Sequence, residues 1–291
     1  MSLVTLDATT VLLQWAVGGL LGCWITTRRR EVGLGYGWLL RSTFLALSVG
    51  SLVIALGSDE TGSAVFVRDL AGLIFSVSVL AGLVSSIARR RAGVSGRLDE
   101  HDRRSERVAE MTGIERAAND ASATTGREFA PLLDLVTLVP GAVAVVAAGV
   151  AAGGNDAVAV ARTVVGAVFL GLVTDAMLLG HWYLVQPGLP RRLLDEVIRL
   201  FLWVWPVEVV VMLLPTGMFS VFSGAVDDGW GGQLGWFWAA CAVTTGVLTV
   251  VTQRALRERA YSAVMAATGL MYLAILTAFG TDLVARAVLA G

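Results

Sequence analysis

Eight stretches of about twenty or more mostly apolar residues follow one another along this chain, and they leave few folds open to it. They run over roughly 8–27, 33–57, 63–88, 129–151, 157–186, 194–215, 232–252 and 260–285. The chain is 56% hydrophobic and only 15% charged, with a mean hydropathy of +0.73. Soluble domains carry about 25% charged residues, so this chain lacks the polar surface a water-soluble enzyme of its length needs. The expected fold is all-α: a polytopic membrane protein of eight transmembrane helices. The fifth stretch is the longest and is expected to tilt or to extend past the bilayer.

Charge placement gives the direction of crossing. The chain has no lysine, so arginine carries all the permanent positive charge. Arg28, Arg29 and Arg30 follow the first segment, and Arg89, Arg90 and Arg91 follow the third. Arg191 and Arg192 follow the fifth, and Arg254, Arg257 and Arg259 follow the seventh. The alternate loops carry Asp59, Glu60, Asp156, Asp227 and Asp228. The positive-inside rule then places the arginine loops in the cytoplasm and both termini outside, in the cell's inner (cytoplasmic) membrane. No cleaved signal peptide is read at the N-terminus. The inner loop from about Arg89 to Glu128 is dense in both charges and is expected to form one or two short surface helices. The outer loop from Thr216 to Gly235, with Phe219, Phe222 and Trp230, is expected to lie along the interface.

The chain also echoes itself. Leu20-Leu21-Gly22-Cys23-Trp24 returns as Leu178-Leu179-Gly180-His181-Trp182, and Arg41 and Arg199 follow at the same interval. This predicts two four-helix repeats, 1–151 and 152–291, inserted in the same direction and related by an axis along the membrane normal. Under this alignment Gly50 corresponds to Glu208 and Val17 to Asp175. With His181 in the place of Cys23, the second half carries at these three positions ionisable groups that the first lacks.

Charges within a span are costly and are expected to be partnered inside the bundle. Depths read from the helical rise match Arg41 with Asp175, both roughly 6 Å toward the cytoplasm from their span centres. The same reading matches Arg199 with Asp134, and Arg68 with Glu208 on the outer side. These six residues are the expected structural ion pairs. Asp175 and Glu208 could equally be steps on a proton path, since water can bridge their separation of roughly 11 Å in depth.

His181, Trp182 and Tyr183 fall near the inner interface, with Arg199, Trp203 and Trp205 in the next segment. Together with Asp175, the set His181, Trp182, Tyr183, Arg199 and Trp203 is a candidate quinone pocket: aromatic walls, hydrogen-bond donors and a carboxylate for protons. The alternative is an aromatic belt at the membrane surface. One membrane histidine cannot supply a bis-histidine haem, and no spacing of His, Cys, Asp or Glu points to a metal. Neither a covalently bound cofactor nor a set of catalytic residues is expected. Cys23 and Cys241 lie in apolar segments and are expected to pack.

The span count, direction and doubled layout resemble the membrane anchor subunits of polysulfide- and DMSO-reductase-type respiratory complexes. That resemblance implies a haem-free subunit that handles quinone and its protons and docks a redox partner, within the bilayer and without nucleic acid. It extends to no residue motif. A small ion or solute transporter or channel that uses the buried carboxylates is the main alternative, although parallel repeats lack the inverted pair that often underlies alternating access. A membrane scaffold or assembly protein, in which every charge is structural, is the third.

Overall fold

The computed structural model describes residues 7–92, 128–186, 188–258 and 260–289. The expected surface helices of the inner loop fall at 93–127, outside the described residues, as does Arg259. The described residues are helical, with no strand among them. The long helices are α1 (Ala8–Thr27), α2 (Leu34–Leu56), α3 (Ser63–Ala88), α4 (Leu132–Ala151), α5 (Asp156–Val185) and α6 (Arg192–Leu213). After a short α7 (Gly217–Phe222) come α8 (Gln233–Ala255) and α9 (Tyr261–Leu289). Seven of them are long and apolar enough to cross a membrane. The remaining long helix, α6, has similar length but carries Asp195, Glu196, Arg199 and Glu208. Many large apolar side chains, such as Leu73, Val77, Val136, Val243 and Leu276, face outward, as they do where the solvent is lipid.

Helix contacts form two rings. In one, α1 and α3 each pack against both α2 and α4. In the other, α5 and α8 each pack against both α6 and α9. The rings meet where α1 crosses α5, and α4 also leans on α5. The loops with Asp7, Ala152 and Gly153 share one end of the bundle with the end of α9. The loops rich in arginine share the other. There Arg28 and Arg29 meet Glu196, Arg192 meets Glu31 at 2.5 Å, and Arg30 meets Glu128 at 2.9 Å. The bonds of Arg28, Arg29 and Arg192 tie one ring to the other at the arginine side, and Arg30–Glu128 closes the first ring on itself.

Small residues set the α1–α5 crossing. A Cβ at Gly18 would fall 1.6 Å from the Ala167 carbonyl oxygen, and one at Gly171 would fall 2.0 Å from the Gly18 carbonyl carbon. Lipid gives helices no hydrophobic reason to associate, so close backbone approach and the dispersion it brings must hold them together. Gly22, one turn along α1 from Gly18, leaves space for the carboxylate of Asp175. The buried core spreads from this crossing through Leu20, Phe44, Leu170, Val173 and Phe201.

The loop before α8 is held by one side chain. Asp228 accepts hydrogen bonds from the backbone N–H groups of Trp230, Gly232 and Leu234 at 2.8–2.9 Å. Gly232 takes a left-handed φ of 84°, open to glycine at little cost. Burial alone would push the Asp228 carboxyl up; the backbone donors outweigh it and hold the group below its ordinary value. Phe219 and Trp230 of this loop are exposed.

Two outcomes are expected. Gly18→Val overpacks the crossing, by about 1–3 kcal/mol or more, and lowers the melting temperature in detergent; an unchanged melt would show that the helices do not meet there. Because the fold favours ionised Asp228, its contribution is complete above the ordinary carboxylate range, about pH 4, and is lost as pH falls through the lowered folded value. Limited proteolysis of 214–232 should therefore be slow in the wild type at pH 7, faster on acidification below about pH 4, and already fast at pH 7 in Asp228→Ala.

Candidate functional site

The buried charges do not pair as their depths predict. Arg41 reaches across the first ring to Asp134 of α4, with Nε 2.8 Å from Oδ1 and Nη2 2.5 Å from Oδ2. Asp175 is not its partner. Both side chains are buried, and the Phe129 ring lies 4.3 Å from the guanidinium carbon. Gly37 makes the reach possible, since a Cβ there would sit 2.5 Å from Arg41 Nη1. Arg199 is exposed and bonds Asp195 one turn back on α6, not Asp134. Arg68 takes Glu60 at 2.7 Å and its neighbour Asp69 at 2.8 Å, not Glu208. Depth fails as a guide because an arginine side chain spans several ångströms, and the ring neighbours decide which carboxylate it meets.

Asp175 is fully buried between the rings and accepts from the Tyr36 hydroxyl at 3.3 Å through Oδ1. Its Oδ2 has no hydrogen-bond partner in the protein. Beside Arg41, a shallow cleft of about 370 Å³ opens to the arginine side between Arg30, Gly33, Glu128 and Phe129.

Of the residues assigned to a quinone pocket, Trp182 and Asp175 meet at Tyr36, while His181, Tyr183, Arg199 and Trp203 have separate surroundings. The exposed His181 meets Tyr272 of α9 edge-on, with Nδ1 3.4 Å from the hydroxyl. Trp182 packs against Tyr36 and bonds Gln186, while Tyr183 donates to the Pro190 carbonyl. Trp203 is 78% exposed on the outer face of α6. Asp175 belongs to the interior with Tyr36. Consecutive residues on one helix face different ways, so closeness in sequence did not bring these side chains to one wall.

At the opposite end the structure gathers a polar group that the sequence reading only touched. Glu208 is fully buried, and neither of its oxygens has a protein donor. Its charged neighbours are Asp282 and Arg286 of α9 and Arg162 of α5. Arg286 Nε lies 2.9 Å from each Asp282 oxygen, and Gln14 Nε2 of α1 donates to Asp282 Oδ2 at 2.8 Å. Above them a cleft of about 640 Å³ opens at the Asp7 side, lined by Thr10, Arg162, Met212 and Arg286 among others. Gln14 and Arg286 were missed because each sits near a helix end, where polar residues are ordinary. Their signal was a four-residue step, Thr10 to Gln14 and Asp282 to Arg286, on two helices ending on the same side. Among the described residues no group of His, Cys, Asp and Glu is arranged to hold a metal.

Between the two polar regions the Gly18–Ala167–Gly171 contact is closed. Trp15 braces it, donating from Nε1 to Thr174 at 2.9 Å and meeting Phe279 edge-on with 4.6 Å between ring centroids. The molecule thus buries polar side chains on each side of the tight α1–α5 crossing, Gln14, Glu208 and Asp282 on one and Asp175 on the other. Comparison with protein-family models, curated proteins and solved structures finds no significant match to any of them.

Removing one member of the Arg41–Asp134 pair leaves a buried charge without its partner, at a cost of about 3–5 kcal/mol. Arg41→Met and Asp134→Leu are each expected to lower the melting temperature sharply, and the double variant to recover most of the loss. Single variants that melt with the wild type would show that the pair is not formed.

Proposed function

We propose that the chain is a membrane transporter of a small ion or solute in which buried carboxylates carry protons. In this reading all eight long helices cross the bilayer, α6 included, because its charges Asp195, Glu196 and Arg199 lie toward its arginine-side end and its buried charge Glu208 belongs to the inter-helix cluster. The Asp7 side faces outward and the arginine loops face the cytoplasm, in keeping with the positive-inside rule. Residues 1–151 and 152–291 form two parallel four-helix repeats. Two features support the repeat. The gap from Thr27 to Leu34 equals that from Val185 to Arg192, and the helices of each half make contact in the same order.

The observation that carries the proposal is the burial of carboxylates on both sides of the α1–α5 crossing. Glu208 and Asp282 lie beneath an open cleft on one side, and Asp175 lies with Tyr36 on the other. Carboxylates at such positions mark proton or ion paths in membrane proteins. The crossing is made of small residues and joins two equivalent bundles, so the halves can rock about it, as parallel-repeat transporters do. In that motion the cleft at the Asp7 side closes and Asp175 becomes reachable from the arginine side. The proton path is then Glu208 to Asp175 by way of the moving crossing.

This reading is preferred to quinone handling because the residues a headgroup would need have separate surroundings. It is preferred to a scaffold because a purely structural role gives no reason to bury Glu208 without a donor, which costs free energy. The test is proton movement in vesicles of purified protein under a potassium-diffusion potential, followed by an internal pH dye. The measurement is made with and without external chloride, sulfate, phosphate and succinate. Protein-dependent proton entry is expected, reduced about tenfold or more in Glu208→Gln and in Asp175→Asn. Vesicles that match protein-free controls under every condition would reject transport.

A further inference from the structure

Four helices line the cleft at the Asp7 side with one common step. Thr10, Arg162, Met212 and Arg286 stand at its wall. Four residues deeper on the same helices stand Gln14, Gly166, Glu208 and Asp282. One helical turn separates the layers, roughly 6 Å. Gln14, Glu208 and Asp282 of the deeper layer are fully buried. Gly166 leaves room for them: a Cβ there would come 2.5 Å from both Asp282 Oδ1 and Arg286 Nη2. The cleft therefore has a polar floor and a wall with two guanidiniums.

The two arginines differ in how they are balanced. Arg286 has its counter-charge in Asp282, and its Nη2 donates to the Arg162 carbonyl at 2.8 Å. Arg162 has no carboxylate at salt-bridge distance. Its Nε donates to the Val211 carbonyl at 3.1 Å and its Nη2 to the Leu214 carbonyl, so it caps the end of α6 while keeping its full charge. Nη1 of each arginine has no hydrogen-bond partner in the protein. Across the cleft, Thr10 is buried, yet its hydroxyl oxygen also has none. Arg162, Arg286 and Thr10 thus line one cleft, each with a donor that no described residue engages.

Arg162 has two candidate counter-charges. One is Glu208, on the deeper layer. The other is an anion in the cleft. Asp282 is already engaged by Arg286 and Gln14, and Asp7, at the mouth, accepts from the Thr10 backbone N–H as the α1 cap. We infer that the cleft binds an oxyanion, of phosphate or carboxylate type, on Arg162, Arg286 and Thr10, and that Glu208 takes up a proton as the anion arrives. The inference rests on the transport reading of this cleft and names its substrate class. Where Glu208 is ionised beforehand the balance is complete: the anion replaces its carboxylate as the charge facing Arg162, and a proton from solvent bonds to a Glu208 oxygen. A monoanion and one proton then enter together with no change in the net charge of the site, while a dianion adds one negative charge beside the two guanidiniums. Binding must then tighten as pH falls, since protons and anion favour each other reciprocally.

The oxyanion could be a free solute or a lipid headgroup, and the test separates them. Inorganic phosphate and succinate are titrated into the purified full-length chain in uncharged detergent, with calorimetry for affinity and a pH indicator in weak buffer for proton uptake. In a second arm the chain is placed in nanodiscs of phosphatidylcholine alone or with phosphatidylglycerol. Binding of at least one free anion is expected, with about one proton taken up per anion. Arg162→Gln should weaken it about tenfold or more, and Thr10→Val by a few fold. Glu208→Gln should still bind, with proton uptake and pH dependence reduced to what the anion's own titration supplies. Because Arg162→Gln also uncaps α6, its melting temperature is measured alongside, and Thr10→Val and Glu208→Gln serve as variants that leave the cap intact. Stabilisation by phosphatidylglycerol that Thr10→Val and Arg162→Gln remove, with no binding of free anion, assigns the site to a lipid headgroup. No binding from either source, or binding unaltered by Arg162→Gln and Thr10→Val, overturns the inference. Proton flux without anion binding would leave transport standing and remove this substrate class; anion binding without flux would do the reverse.

Discussion

The close crossing of α1 and α5 is the contact from which the rest of this molecule is arranged. Two helices approach at Gly18, Ala167 and Gly171 until their backbones touch, because no side chain stands between them. In a bilayer such contact replaces the hydrophobic effect as the reason for helices to stay together. Each ring of four helices is built outward from one member of this pair. The buried polar groups lie at its two ends, Gln14 with Asp282 on one side and Asp175 with Tyr36 on the other.

Once the crossing is set, the charges have limited choices. Arg41 cannot face lipid without large cost, and the space left by Gly37 lets it span the first ring to Asp134. Its two parallel bonds fix α2 against α4, which do not otherwise pack closely. The second ring has no such strut. Arg199, at the position that corresponds to Arg41, turns outward to Asp195 near the arginine side, where a long side chain can reach the interface. The second ring's buried charges collect instead near its other end, under the cleft. Buried charge thus braces the first ring across its middle and gathers near one end of the second.

A transporter needs a site that is polar, enclosed and reachable from one side at a time. In the transport reading the Asp7-side cleft meets the first demand through Arg162 and Arg286 at its wall, and the second through Gln14, Glu208 and Asp282 buried one turn deeper. The glycine crossing meets the third, for it closes the route inward without any bulky plug. Small residues allow sliding of backbone on backbone at modest cost, whereas interlocked large side chains would have to unpack.

The helices, their ends and the gathering of arginine on one side were legible in the sequence, because apolar length and loop charge act residue by residue and need no partner. Helix ends at Thr27, Ala88 and Val185 fall at or within a residue of the boundaries read from the chain. That Glu208 and Asp175 are buried was legible too, since a carboxylate within an apolar stretch of a bundle has nowhere else to go. Which charge meets which was decided only by the tertiary structure. Depth along a helix is a one-dimensional coordinate, while pairing depends on which helix stands opposite and which way each side chain turns. Asp134 rather than Asp175 beside Arg41, and Asp282 rather than Arg68 beside Glu208, follow from the order of helices in the two rings. The cleft itself belongs to four helices far apart in the chain, and nothing local in any one of them announces the other three.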